Sequence, residues 1–195
     1  MGMVVCLGGI AGHRTGAVMT DPARWLVDHA DVLPTTGDAL DVASGSGRNA
    51  LWLAARGLNT LAIDRSGDAV AEIRRAATAR QVPLRAEIVD LETPESTLPV
   101  SAFDLVVVVH YLHRPLFPAL IASLRPGGVL VYETFTRPQA LRGRPTNPAF
   151  LLEPGELRRL VAPLQVLFER EGDFEGKMLA SVIAARSRDR ARASR

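Results

Sequence analysis

Leu40-Asp41-Val42-Ala43-Ser44-Gly45-Ser46-Gly47-Arg48-Asn49 is the stretch that decides how this chain is read. A short apolar strand, Ala39 to Ala43, runs into a glycine loop, and the loop opens a helix over Arg48 to Arg56 that Gly57 closes. Glycine at such a turn lets a bulky ligand approach the main chain closely. The first helical turn leaves N–H groups free for an anionic group. Asp64 follows at the end of a second strand, Thr60 to Ile63, where a carboxylate can accept hydrogen bonds from both hydroxyls of a ribose. Gly45, Gly47 and Ala50 also satisfy G-x-G-x-x-A, so the loop by itself leaves a dinucleotide site open. Asp41 weighs against that reading. A carboxylate in the loop approach repels a pyrophosphate and tolerates a cationic sulfonium or ammonium.

Outward from this loop, apolar runs alternate with helical patterns, which predicts parallel strands joined by crossover helices. A first helix is expected over Pro22 to Asp31, with Asp21 as its N-cap and Trp25, Leu26 and His29 on one side. Asp68 to Arg80 reads as an amphipathic helix, Arg85 to Val89 as the third strand and Leu105 to Val109 as the fourth. The unbroken valines of the fourth strand predict burial on both faces. A helix over Leu116 to Leu124 ends at the turn Arg125-Pro126-Gly127-Gly128, and Val129 to Glu133 forms the fifth strand. An arginine- and proline-rich loop, Thr136 to Leu152, leads to a short helix near Pro154. Two last strands, Gln165 to Glu169 and Met178 to Ala184, are joined through Gly172 and Gly176. The fold class is therefore α/β: a doubly wound, mostly parallel seven-stranded sheet with a C-terminal antiparallel hairpin. Residues 1–18 are expected to be a flexible extension, residues 19–186 the domain, and residues 187–195 an arginine-rich tail.

Composition narrows the function classes. A net charge of +2 gives no electrostatic reason to expect nucleic acid or an anionic membrane as partner. One cysteine, Cys6, forms neither an intrachain disulfide nor a multi-cysteine metal site, so no metal is expected. The apolar stretch Met3 to Ala11 is too short to span a bilayer and lacks the pattern of a secretory signal. The expectation is a cytoplasmic protein, monomeric or homodimeric, whose partner is a small molecule. Asp104 lies at the wrong end of the fourth strand for ligand binding and reads as structural.

The chain resembles the class I S-adenosylmethionine-dependent methyltransferases, and among them the small tellurite-resistance-type enzymes. The resemblance rests on Asp41 to Asn49, Ile63-Asp64, Val89-Asp90-Leu91, Arg125-Pro126-Gly127-Gly128, and the later Asn147-Pro148 and Pro154-Gly155-Glu156-Leu157. It implies S-adenosyl-L-methionine as cofactor. Ala43, Gly45 and Gly47 would lie against its methionine part, Asp41 would face its ammonium group, and Asp64 would hold the ribose. Asp90 would accept from the adenine amine, the Leu91 backbone would meet the ring, and His110 would lie beside the sulfonium. Ala43 departs from the family pattern, which has glycine there; alanine is expected to serve with a negative φ.

His110 and His113, just beyond the fourth strand, are the candidate catalytic residues. Arg114, Arg137, Arg142 and Arg144 are candidate substrate ligands, suited to a soft or anionic nucleophile such as a metalloid oxyanion. Other readings stay open: a small-molecule O- or N-methyltransferase, a non-catalytic S-adenosylmethionine-binding module, and a nicotinamide oxidoreductase. The loop from Thr136 to Leu152 is expected to close over the substrate.

Overall fold

The computed structural model describes residues 21–93 and 96–188. Its strands are β1 (Asp38–Val42), β2 (Asn59–Asp64), β3 (Leu84–Ile88), β4 (Phe103–Val109), β5 (Leu124–Phe135), β6 (Gln165–Phe174) and β7 (Lys177–Ala185). They form one sheet in the order β3-β2-β1-β4-β5-β7-β6. The first five strands run parallel, and β7 is antiparallel to both β5 and β6. Strand order reverses between β1 and β4, so the carboxyl ends of these two strands frame the crevice where ligands collect in such sheets.

The helices are α1 (Arg24–Asp28), α2 (Arg48–Ala55), α3 (Gly67–Arg80), α4 (Phe117–Ser123) and α5 (Glu156–Leu160). They cover an apolar sheet on both faces. Val106 and Val108 of β4 pack into one core with Leu40, Leu130 and Phe117. Leu105 and Val107 pack into the other with Leu26, Leu53 and Val131. The valine run of β4 is thus buried on both sides, as its sequence demands. Asp104 accepts the Asp38 N–H at 2.8 Å and pairs with Arg125, a structural role at the amino end of the sheet.

Three elements depart from the sequence reading. Helix α1 is shorter, and its N-cap is Ala23, not Asp21. The Ala23 N–H donates to the Asn49 side chain at 2.9 Å, so this end is tied to α2 and needs no cap of its own. Strand β5 begins at Leu124 and passes through Pro126-Gly127-Gly128. Glycine is required there because a side chain at Gly128 would meet the Phe103 and Arg125 carbonyl oxygens at 3.0 and 2.9 Å. The final hairpin turns at Glu175-Gly176, with φ of +54° and +78°, and Gly172 lies within β6. Two central residues with positive φ match the twist of the flanking strands, which lets both strands run longer than their apolar cores suggest. Among the described residues no helix is long and apolar enough to cross a membrane. The expected extension 1–18 lies outside the described residues, as does most of the expected tail.

Candidate active site

The loop after β1 is built from left-handed residues: Ala43, Gly45 and Gly47 have φ of +52°, +53° and +74°. The expected negative φ at Ala43 is therefore wrong. The Ser44 N–H donates to the Ile63 carbonyl of β2 at 3.0 Å, and reaching it turns the chain through the left-handed region at Ala43. An L-alanine there costs about 1–2 kcal/mol, which the surrounding hydrogen bonds offset. Gly47 has a second constraint, since a Cβ would stand 2.5 Å from Ile73 Cγ1 on α3. Gly47→Ala should therefore lose about 2–4 kcal/mol, combining backbone strain with overpacking. Urea titration of the variant checks this, and a midpoint equal to wild type would contradict the packing described.

Asp64 holds the far side of the loop. One carboxylate oxygen accepts the Gly45 N–H at 2.8 Å and the other the Ser66 N–H at 2.8 Å. Its half-exposed position leaves each oxygen a further lone pair. The Ser44 hydroxyl is buried and has no hydrogen-bond partner, a polar atom awaiting one. At the start of α2 the N–H groups of Arg48 and Asn49 have no acceptor among the described residues. A free helix start, an orphaned hydroxyl and, from β2, a carboxylate with spare lone pairs thus border one loop.

Asp41 sits beneath this loop, 1% exposed, and accepts the Ala50 N–H at 3.0 Å. Burial pushes its carboxyl up to about 7, opposed by the Ala50 N–H and by Arg48. In the unfolded chain it ionises near the usual carboxylate range. Between that range and pH 7 the folded state alone keeps the proton, so Asp41 costs stability as pH rises through this window. Asp41→Asn keeps an acceptor for Ala50 and removes the charge. Its stability relative to wild type should rise between about pH 4 and pH 7 and level off above. Parallel melting temperatures across that range would contradict the burial argument.

Beyond β3, Asp90 Oδ1 accepts the Glu92 N–H at 3.0 Å, and Leu91 packs into the core beneath. His110 closes the other side. It has φ of +59°, its N–H donates to the Glu133 carbonyl at 2.8 Å, and its ring stacks on Phe135 at 4.7 Å. Desolvation, then the nearby charges of Lys177 and Arg48, push its imidazole down to about 4, so it is neutral at physiological pH. His110 lines two cavities. The larger, about 1050 Å³, lies between α1, the start of α2 and the β6–β7 hairpin, with Arg48, Glu133, Arg170 and Lys177 on its walls. The smaller, about 390 Å³, is walled by Tyr111, Phe135, Arg144, Pro145 and Phe150.

The expected substrate arginines are mostly committed elsewhere. Arg114 donates twice to Glu156, at 2.6 and 2.9 Å, and to the Ala149 and Leu151 carbonyls, so it staples the loop to α5. Arg137 pairs with Glu153 at 2.6 Å and Arg142 with Asp173. Arg144 alone of the four faces a cavity beside His110. His113 precedes a short 3-10 turn, Arg114–Leu116, and lines neither cavity. A general-base role for it thus has no geometric support here. Glu133, Arg170 and Ser181 form a network the sequence reading missed. Glu133 Oε2 accepts from Ser181 Oγ at 2.6 Å and from Arg170 at 3.1 Å, and the Arg170 guanidinium lies over the Trp25 and Phe174 rings. The available signal was a carboxylate closing an otherwise apolar central strand. No group of three or more metal-ligating side chains occurs among the described residues.

Residues 39–128 match the family model described as "Methyltransferase domain", which covers the loop, Asp64, Asp90 and His110. An S-adenosylmethionine-dependent methyltransferase from Mesorhizobium loti superposes with a TM-score of 0.65 at 19% identity, covering 80% of this chain and 95% of that one. The fold is that of the S-adenosylmethionine-dependent methyltransferases. TehB from Haemophilus influenzae shares this methyltransferase fold, with a TM-score of 0.68 at 19% identity over 83% of this chain and 61% of TehB. A curated relative, Hemagglutinin 1 of Eikenella corrodens, is 34% identical over 93 residues, which is 46% of this chain. The match spans only 31% of that relative's length.

Proposed function

We propose that the protein is an S-adenosylmethionine-dependent methyltransferase acting on a small molecule. The observation that carries this is the left-handed loop of Ala43, Gly45 and Gly47, with the orphaned Ser44 hydroxyl on one side and Asp64 on the other. The free N–H groups of Arg48 and Asn49 suit the carboxylate of the cofactor's methionine part. The spare lone pairs of Asp64 suit the ribose hydroxyls, and Asp90 with the Leu91 backbone suits the adenine. Asp41, sealed by the Ala50 N–H, acts from below by supporting the loop and by its negative charge when ionised.

When bound, the cofactor supplies an electrophilic methyl group on a cationic sulfur. The chain's task is to align an acceptor with that carbon and keep water out, so most of the rate enhancement comes from positioning. His110 suits this task, since it lines both cavities and its ring stacks on Phe135. Being neutral, it can accept a hydrogen bond from an acceptor hydroxyl, thiol or amine. The segment from Thr136 to Leu152 supplies Arg144, Pro145 and Phe150 to the smaller cavity, consistent with a cover over the acceptor. Soft or anionic nucleophiles, metalloid oxyanions among them, and small O- or N-acceptors all fit a reaction of this kind.

Calorimetric titration tests the cofactor. S-adenosylmethionine and its demethylated product should bind, and NAD should not displace them. Displacement by NAD at comparable concentration would overturn the reading, and transfer of labelled methyl to a metabolite panel would separate an enzyme from a binding module.

A further inference from the structure

The larger cavity is rich in charge, and most of that charge is already paired. Asp28 and Glu175 engage Arg24, Asp173 engages Arg142, and Glu133 engages Arg170. Two cations on its wall are left over. Lys177, the only lysine of the chain, has no ion pair or side-chain hydrogen bond among the described residues. Arg48 donates one N–H to the Asp21 carbonyl at 3.1 Å and, among the described residues, has no carboxylate within ion-pair distance. Among the described residues Asp21 is the acidic wall residue without an ion pair, and it is exposed. Lys177 opens β7 beside the hairpin turn and Arg48 opens α2; both line the cavity that His110 lines, and the charges of both act on the His110 ring.

We propose that Lys177 and Arg48 form the seat for an anionic group, a carboxylate or comparable oxyanion, carried by the methyl acceptor. This deepens the methyltransferase reading and rests on it. A guanidinium offers a planar fork to a carboxylate and an ammonium offers a mobile point charge, so the two together can hold an anion across the cavity. The anion sits beside His110, which places the rest of the acceptor at the mouth of the cofactor loop. Because His110 is neutral, it adds a hydrogen bond and no third charge. The seat also moves anion recognition away from Arg114, Arg137 and Arg142, whose guanidinium groups are occupied.

The test uses two thiols of similar size, mercaptoacetate and 2-mercaptoethanol, titrated into protein saturated with the demethylated cofactor. The His110 ring signals, read by NMR, report occupancy. Mercaptoacetate should saturate at about tenfold lower concentration than 2-mercaptoethanol. Lys177→Met, which leaves only Arg48, should reduce that preference severalfold and Lys177→Arg should keep it. Equal response to both thiols in the wild type, or an unchanged preference in Lys177→Met, overturns the proposal. So does a Lys177→Met variant that binds the demethylated cofactor markedly more weakly, because the cation would then serve the cofactor's own carboxylate. Failure of the wild type to bind the demethylated cofactor would sink the methyltransferase reading instead. The anion preference would remain measurable in the unloaded protein, so the two failures are distinguishable.

Discussion

Asp64→Ala should weaken binding of the demethylated cofactor by about 1–3 kcal/mol, on the order of 5–150-fold in Kd. The carboxylate is expected to accept charge-assisted hydrogen bonds from the ribose, and alanine offers none. The structure adds a second consequence. Asp64 also fixes the Gly45 and Ser66 N–H groups, so its loss releases the loop and the start of α3 together. Stability should fall by about 1–2 kcal/mol, as for a lost helix-end acceptor. Asp64→Asn restores one acceptor oxygen and turns an N–H donor toward the other side. It should recover part of the stability and little of the affinity. Calorimetry and urea unfolding on the same samples separate the two effects. A folded Asp64→Ala protein with wild-type affinity would remove Asp64 from the cofactor site.

A stability effect as large as that of Gly47→Ala is expected at Glu133. Its side chain is 6% exposed and its Oε2 serves both Arg170 and Ser181. Glu133→Ala leaves the Arg170 guanidinium, 22% exposed, facing a hydroxyl and two rings without a counter-charge. Breaking a buried pair from one side costs about 3–5 kcal/mol, and partial solvation of Arg170 brings the expectation here to about 2–4 kcal/mol. Removing Arg170 as well should return part of that loss, because the stranded charge goes with it. The measurement is a double-mutant cycle by denaturant unfolding. Strict additivity of the two changes would show that the pair contributes nothing through its mutual contact.

The parts of this chain that could be read from sequence are those where local chemistry decides the outcome. The glycine loop, the carboxylate ending β2 and the twice-buried valines of β4 each follow from residue type and spacing. The antiparallel pairing of β6 and β7 follows from their short, glycine-marked connection. What could not be read depends on partners distant in sequence. Arg114 looked free for substrate because Glu156 lies 42 residues away. Asp21 looked like a cap because nothing local announces that Asn49 meets Ala23. Ala43 departs from the negative φ that an alanine prefers because the Ser44 N–H beside it bonds across to β2. The Glu133–Arg170 pair spans 37 residues and needs the hairpin in place before it exists.

The position of β7 between β5 and β6 has a consequence for how the molecule is made. Strand β7 follows every other strand in sequence, yet it supplies the lateral partner of β5 over residues 129–135 and of β6 over residues 165–174. While the polypeptide is still being synthesised, β5 can pair with β4 on one side but offers a bare hydrogen-bonding edge on the other. Its apolar residues Val129, Leu130 and Val131 make that edge sticky. The nascent chain therefore carries the loop between β1 and α2 in near-final surroundings while one edge of β5 is still a template for mispairing. Chaperone dependence of this protein should accordingly concentrate in the interval between emergence of β5 and completion of β7.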